Sequence, residues 1–241
     1  MIAPTRRAFL LRRLHSLTGV VPVGVFLVEH LWTNASALSG SAAFTHAVER
    51  IQSLPALPVI EVFGIFAPLA FHAIFGVKLA REGKANVGRY GYTRNWMWLL
   101  QRLTGLVTFV FVLAHLWELR VQKWLFGMAH TSFYGSLAAH LSWTKWGVPW
   151  IAVGYLLGLA ASCFHLANGL WGFAASWGLA VTRRSQGRVG VASAVLGVVL
   201  FGLGATTVVH FATGAPLIAN PSETTPYGPP RPSCEPKTPA P

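Results

Sequence analysis

Four histidines of this chain lie inside long apolar stretches, and each stretch holds one of them: His30, His72, His115 and His165. A polar ring buried in such a stretch without a partner costs on the order of 2 kcal/mol or more. A single buried histidine is commonly a packed residue that bonds a neighbouring helix. Four buried histidines on four separate stretches instead indicate that they share a chemical function. Imidazole binds metals and carries protons, so these are the two chemistries to consider.

The rest of the sequence narrows the kind of metal site. It has no Asp, no His-Glu-x-x-His motif and only two cysteines, which are too few for an iron–sulfur cluster. Two imidazoles on facing helices suit the axial positions of a haem iron. Glycines near the histidines, such as Gly76, Gly105 and Gly169, would let a macrocycle lie close to the backbone, although small residues also serve helix packing in membranes. Four ligands predict two haems b with no open iron position, which favours electron transfer.

The distance of each histidine from the nearest basic run suggests how the four pair. His30 lies 17 residues beyond the N-terminal arginines and His115 lies 13 residues beyond a basic residue, or roughly 25 and 20 Å along a helix. His72 is only 6 residues from a lysine on the same side, or roughly 9 Å. His30 and His115 are therefore predicted to hold an outer haem and His72 an inner one, with His165 joining His72 by elimination. The other five histidines fall at predicted helix ends or in loops, where interface solvation is their simplest role.

The elements that position these histidines are predicted to be transmembrane helices. Hydrophobic residues make up 53% of the 241 residues and charged residues only 11%, too few to cover the surface of a soluble protein. A bilayer core takes roughly 20 helical residues, and the apolar runs are too long for strands. The sequence predicts an all-α bundle in residues 1–213 and a Pro-rich, disordered tail in residues 214–241. Its five transmembrane helices are expected at about residues 14–32, 59–79, 96–117, 148–177 and 189–211.

Basic residues set the predicted orientation. The formal net charge is +12, and 13 of the 19 basic residues lie before the first helix, in the connections between the second and third or the fourth and fifth helices, or at the helix ends that adjoin those connections. The side richer in Lys and Arg stays in the cytoplasm, so we expect the N-terminus inside and the C-terminus outside. Because these residues form short runs between apolar stretches, they favour topogenic charge over nucleic-acid binding.

Several motifs resemble those of a known family over about residues 6–211. They are RRLHS at 12–16, GVVPVG at 19–24, EH at 29–30, FHAIFG at 71–76, YTRNWM at 92–97, LQRLTG at 100–105, HLWE at 115–118, FHLANGLW at 164–171 and TRRSQ at 182–186. Together they resemble the cytochrome b membrane anchor of succinate:quinone oxidoreductase, of the five-helix, two-haem type with a single anchor polypeptide.

The resemblance implies the same four haem ligands, with His30 paired to His115 and His72 paired to His165. It implies that succinate oxidation occurs on partners, a flavoprotein and an iron–sulfur protein docked on the cytoplasmic face of a bacterial cytoplasmic membrane. The chain itself has no dinucleotide fingerprint and no cluster ligands, so it is not expected to act on succinate. Menaquinone is the usual quinone of this type. Some relatives carry an acid two residues before the fourth ligand, and this chain has Cys163 there.

A quinone takes up two protons with its two electrons, so it needs a proton donor near a haem. Glu29 and Glu61, near the predicted outer face, are candidates for that site, although Glu61 can equally be a helix-start charge and Glu29 can reach the interface. At the inner end, four residues are candidates for contacts to haem propionates or, equally, for anchoring loops: His15, Ser16, Trp98 and Arg102.

Two other functions are compatible with the same pattern. A di-haem cytochrome b of another membrane oxidoreductase would share the helices and haems but dock a partner on the outer face. The basic inner loops and the motifs favour the first interpretation. A haem-free transporter or proton channel would use His and Glu without a cofactor, and its purified form would lack a Soret band.

Overall fold

The computed structural model of the chain describes residues 6–127 and 129–215. Most of the predicted Pro-rich tail, residues 216–241, lies outside this part of the chain. The regular elements of the described residues are helical. Five helical spans are long and apolar enough to cross a membrane: Arg6–Ser39, Leu57–Glu82, Thr93–Phe126, Trp150–Ser176 and Arg183–Thr213. The predicted all-α class with five transmembrane helices is confirmed. Four of the spans extend past both predicted ends, and the fourth, Trp150–Ser176, falls just inside its predicted range.

The first three spans are each built from more than one helical segment, the fourth and fifth are single helices, and further short helices lie in the connections. In chain order the α-helices are α1 (Arg6–Val20), α2 (Pro22–Ala35), α3 (Ser41–Gln52), α4 (Leu57–Val59), α5 (Ala67–Glu82), α6 (Thr93–Leu116), α7 (Gln122–Phe126), α8 (Phe133–Leu141), α9 (Trp150–Ser176) and α10 (Arg183–Thr213). The first span joins α1 to α2, and α2 begins at Pro22. Proline is tolerated at the first position of a helix because an N–H at that position would have no partner within the helix. Helices α3 and α8 lie between spans.

Two π-helical segments interrupt the second and third spans. Ile60–Phe66 separates α4 from α5, and Trp117–Val121 separates α6 from α7. The second of these carries the third span to Phe126, past its predicted end near residue 117. The first segment contains Glu61 and the second contains Glu118 and Arg120, and π-helical turns occur frequently at functional sites. Both segments are therefore places to look for function.

The sequence at the start of α10 forms a capping box. The Thr182 hydroxyl accepts a hydrogen bond from the Ser185 backbone N–H at 3.1 Å, and the Ser185 hydroxyl accepts one from the Thr182 N–H at 3.0 Å. These bonds satisfy two amides that the first helical turn leaves unpaired. At the other end, Gly214 adopts φ 67°, a left-handed conformation that glycine tolerates and that ends the helix.

Helix α9 is central to the packing, with α6 and α10 lying against it. Glycines permit this close approach: a Cβ at Gly197 would lie 2.9 Å from the Ala167 Cβ, and one at Gly204 would lie 2.7 Å from a Leu159 methyl carbon. At the end of the bundle near α3 and α8, a separate buried cluster joins these helices to α10 through Phe44, Leu141 and Phe211. This arrangement gives the third, fourth and fifth spans a fixed core.

Candidate functional site

The structure brings the four intramembrane histidines together as two pairs. The ring centroids of His30 and His115 are 5.7 Å apart with their planes at 79°, and those of His72 and His165 are 6.1 Å apart at 84°. The outer pair joins the first span to the third, and the inner pair joins the second span to the fourth. The rings thus lie in the pairs that the sequence predicts, from depth for His30, His115 and His72 and by elimination for His165.

The spacing of the pairs fits a haem iron. With metal–nitrogen bonds of about 2 Å, an iron between two imidazoles sets the bonded nitrogens about 4 Å apart and the ring centroids roughly 6 Å apart. The porphyrin supplies the other four ligands, so two histidines are all that the protein must add. Among residues 6–127 and 129–215 there is no cluster of three or more His, Cys, Asp or Glu that could hold a metal ion without such a group.

The inner histidines are oriented by the main chain. The Nδ1 of His72 lies 2.8 Å from the carbonyl oxygen of His15, and the Nδ1 of His165 lies 3.0 Å from that of Gln101. A carbonyl can only accept, so both Nδ1 atoms carry the proton and both Nε2 atoms keep a lone pair. Metal-ligating histidines commonly donate their second ring nitrogen in this way. The hydrogen bonds therefore fit axial ligation through Nε2.

Two glycines make room for the inner rings. A Cβ placed on Gly105 would lie 2.7 Å from the His165 Cε1, and one on Gly19 would overlap the His72 ring. Real Cβ atoms essentially never approach so closely, so each ring rests directly on a helix backbone. Gly105 is one of the glycines that the sequence associated with a macrocycle, whereas Gly19 stands out only in the structure.

The outer pair is supported by side chains instead. The Nδ1 of His115 lies 3.3 Å from the hydroxyl of Tyr155, which is 2.7 Å from Oε2 of Glu118. The other carboxylate oxygen of Glu118 lies 2.9 Å from Nε2 of His140. A continuous polar chain therefore runs from an outer histidine, through α9 and the π-helical turn after α6, to α8. On the other side of the pair, the Asn34 amide donates to the carbonyl oxygen of His30 at 2.7 Å.

The four residues suggested for propionate contacts fall into two groups, with His15 and Ser16 on α1 beside His72 and with Trp98 and Arg102 on α6 near Gly83. His15 stacks on His72 with ring centroids 4.1 Å apart and planes at 9°, and its Nδ1 is buried without a hydrogen-bond partner. Ser16 accepts a hydrogen bond from the Trp177 indole at 3.0 Å. Arg102 lies over the ring of Trp98 at 3.4 Å, and its Nε is also buried and unpartnered. The unpartnered Nε of Arg102 is a donor that suits an anionic carboxylate, while the tautomer of His15 decides whether its Nδ1 donates or accepts.

The two candidate quinone-site carboxylates have different surroundings. Glu29 is exposed and accepts a hydrogen bond from Thr33 at 2.5 Å. Glu61 forms an ion pair with Arg120, and both side chains are mostly buried, at 15% and 19% exposure. The ion pair joins the two π-helical segments. Glu61 is thus tied into the packing of the spans, while Glu29 is the more accessible of the two acids.

Comparison with known proteins agrees with the motifs. No family model matches the chain. The succinate dehydrogenase cytochrome b558 subunit of Bacillus subtilis (strain 168) is 42% identical to it over 180 residues, which cover 75% of this chain and 85% of that protein. This chain belongs to the succinate dehydrogenase cytochrome b subunit family. The resemblance drawn from the sequence motifs is therefore confirmed.

In this member of the cytochrome b subunit family, sequence reasoning missed the polar chain beside the outer pair. Tyr155 gave no signal, because a tyrosine in an apolar run is an ordinary helix residue. Glu118 stands out in the sequence only as part of the HLWE motif, and His140 is one of the five histidines expected at helix ends or in loops. Arg120, two residues after Glu118, is not among the candidate site residues. The spacing of Glu118 three residues after His115, which places both on one helix face, was the available signal.

Proposed function

We propose that this chain binds two haems b, one between His30 and His115 and one between His72 and His165, and delivers electrons to a quinone. Membership of the family makes the chain a membrane anchor and electron-transfer subunit of a succinate dehydrogenase. The observation that carries the proposal is the pairing of four histidines from four spans, each pair at the separation that an axially ligated iron needs. The family relationship supports the choice of this complex over another oxidoreductase or a channel.

The residues of the chain hold and orient the proposed groups. Main-chain carbonyls fix the Nδ1 protons of His72 and His165, and Tyr155 occupies the same position for His115. Each of these bonds leaves the Nε2 of the ring with a lone pair that could ligate a haem iron, and the side-chain amide of Gln101 lies 3.4 Å from that atom of His165. A haem with two axial imidazoles supplies one-electron transfer and has no open position for oxygen. At the inner end, the guanidinium of Arg102, which stacks on Trp98, would neutralise a propionate, and His15 and Ser16 on the first span are proposed as further contacts.

The proposed complex includes a flavoprotein and an iron–sulfur subunit on the cytoplasmic face of a bacterial cytoplasmic membrane. Succinate is oxidised on those partners, because this chain has no dinucleotide or cluster motif. The basic residues at the inner ends of the spans support this side for docking. Arg94 at the start of α6 lies over the Trp171 ring at 3.5 Å, which holds part of that basic surface in place.

The proposed quinone is menaquinone, reduced near the outer pair. Glu29 and Glu61 are the acids proposed for this site. The exposure of Glu29 supports it as the residue that exchanges protons with the outside. The ion pair of Glu61 with Arg120 supports a second role, in which Glu61 keeps the second and third spans together beside the site.

The test is purification of the intact complex followed by haem and activity measurements. Pyridine haemochrome analysis is expected to give two b-type haems per chain, and the spectrum of the native complex is expected to be low-spin. Succinate is expected to reduce a menaquinone analogue. One haem per chain would contradict the two-site proposal, and no haem would favour a channel. Co-purification with a hydrogenase or formate dehydrogenase instead of a flavoprotein and an iron–sulfur subunit would point to another complex.

A further inference from the structure

The two histidine pairs differ in the group that accepts a hydrogen bond from the Nδ1–H of their histidines. On the inner pair, both acceptors are neutral main-chain carbonyls, of His15 and Gln101. On the outer pair, His115 faces the Tyr155 hydroxyl at 3.3 Å. This hydroxyl is not the end of the chain, since it lies 2.7 Å from a carboxylate oxygen of Glu118. The difference is therefore between a neutral acceptor and one backed by a negative charge.

The direction of each hydrogen bond follows from the groups involved. An ionised carboxylate has no proton to give, so the Tyr155 hydroxyl donates to Oε2 of Glu118. The hydroxyl oxygen then accepts from the Nδ1–H of His115, which leaves Nε2 with its lone pair. His140 adds a further bond of 2.9 Å to Oε1 of Glu118. The carboxylate is thus held from two elements, α8 and α9.

The local fold leaves the Glu118 carboxylate free to accept the hydrogen bond from Tyr155. It lies in the π-helical segment Trp117–Val121, one turn after His115. The nearest cation in the same segment, Arg120, is ion-paired with Glu61 on the second span and does not bond Glu118. Tyr155 is held in turn by Phe111, whose ring packs edge-on against it with centroids 5.3 Å apart. Both residues are thus fixed by contacts that do not involve a ligand histidine.

We infer that Tyr155 and Glu118 are positioning residues for His115, which fix its tautomer and lower the reduction potential of the outer haem. This inference rests on the proposed function. A hydrogen bond that ends on a carboxylate draws the Nδ1 proton away from the ring, so the ring becomes a stronger donor to iron. A stronger donor and a nearby negative charge both favour the more positive, ferric state. The neutral carbonyls at the inner pair exert a weaker pull.

The experiment is redox titration of the intact complex, following each haem by its own absorption. The outer component is identified first as the one that disappears in His30→Ala. Tyr155→Phe is then expected to raise the midpoint potential of that component, because the bond to His115 is lost. Glu118→Gln is expected to raise it as well, because the amide keeps the size of the side chain but not its charge. The inner component is expected to keep its potential in both variants.

Tyr134→Phe is the matched control. Its hydroxyl bonds another histidine, His210 on α10, at 3.0 Å, and α10 supplies no histidine to either pair. It is expected to leave both potentials unchanged. An unchanged outer potential in both Tyr155→Phe and Glu118→Gln would overturn the inference, and so would an equal rise of both components. If Tyr155→Phe fails to assemble, Glu118→Gln decides alone. Absence of two haem components in the wild-type complex would instead contradict the proposed function.

Discussion

The inner and outer histidine pairs have similar spacing but different supports. The inner rings rest on glycine backbones and donate to main-chain carbonyls. The outer pair relies on the side chains of Tyr155, Glu118 and Asn34. A site held by backbone changes little when neighbouring side chains vary, whereas a site held by side chains can be altered by single substitutions. The geometry of the inner site should therefore tolerate substitutions of neighbouring side chains, whereas that of the outer site should be sensitive to them.

The ion pairs at the outer and inner ends of the spans differ in burial. Glu61 and Arg120 are mostly buried and connect the second and third spans. At the inner end, Glu82 lies 3.7 Å from Arg12 and 3.8 Å from Lys78, and all three side chains are at least half exposed. Exposed pairs contribute little because water screens them, while removal of one member of a buried pair leaves a charge without compensation.

Removal of a ligand should have the largest effect and separate the two pairs. His72→Ala or His165→Ala is expected to remove the inner haem, and His30→Ala or His115→Ala the outer one, so that each variant keeps one haem of two. Pyridine haemochrome analysis and redox spectra would measure this. His46→Ala, at an exposed histidine of α3, should keep both. Loss of the same component in His30→Ala and His72→Ala, with the other retained, would contradict the pairing.

Disruption of the buried ion pair should come next. Glu61→Gln is expected to lower the free energy of unfolding by about 3 kcal/mol, because Arg120 is left unpaired. The matched exposed variant, Glu82→Gln, should cost less than about 1 kcal/mol. Thermal and denaturant unfolding of the complexes in one detergent would compare them. If the two variants cost the same, the contrast between the ends is wrong. The double variant with Arg120→Gln should recover part of the loss.

The glycine contact at the inner pair allows a finer test. Gly105→Ala is expected to cost about 2 kcal/mol and to reduce the haem content of the inner site, because the new methyl group displaces the His165 ring. Gly154→Ala, in the same helix as His165 but with open space around its Cβ position, should be neutral or slightly stabilising. Equal haem content in the two variants would show that the backbone does not constrain the inner ring.

The smallest expected effect is that of the membrane potential on the rate of quinone reduction at the outer site. Electrons that enter from the cytoplasmic face and reach a quinone at the outer end move toward the positive side, which an inside-negative potential favours by about 2.3 kcal/mol per 100 mV for a full crossing. Succinate-dependent reduction of endogenous menaquinone in sealed cells should therefore slow a few-fold when an uncoupler removes the potential. An unchanged rate, with this complex limiting the flux, would contradict an outer quinone site.

The sequence predicted the spans and the depths of His30, His115 and His72 because these depend on local, additive signals, while His165 was assigned only by elimination. Apolar length marks a span, and the number of residues between a basic run and a histidine gives its depth. The spans differ from the predicted ones mainly at their ends. The third continues to Phe126 because a π-helical turn carries charged residues within a helix, where composition alone suggests a loop.

The supports of the outer pair were not predictable in the same way. Tyr155 and Glu118 are 37 residues apart, and only the packing of α9 against α6 brings them together. The ion pair between Glu61 and Arg120 likewise depends on two irregular segments meeting. Long-range pairs of this kind follow from the relative rotation of helices, which composition and charge spacing do not determine.

Crossed pairing of the spans, first with third and second with fourth, imposes an order on biogenesis. As the ribosome releases the chain, His30 has no partner until the third span enters the membrane and brings His115. The inner site waits longer, because His165 belongs to the fourth span. The fifth span supplies no histidine to either pair and packs on the fourth. A nascent chain therefore completes its outer site before its inner one, so cofactor insertion during synthesis would proceed from the outer side inward.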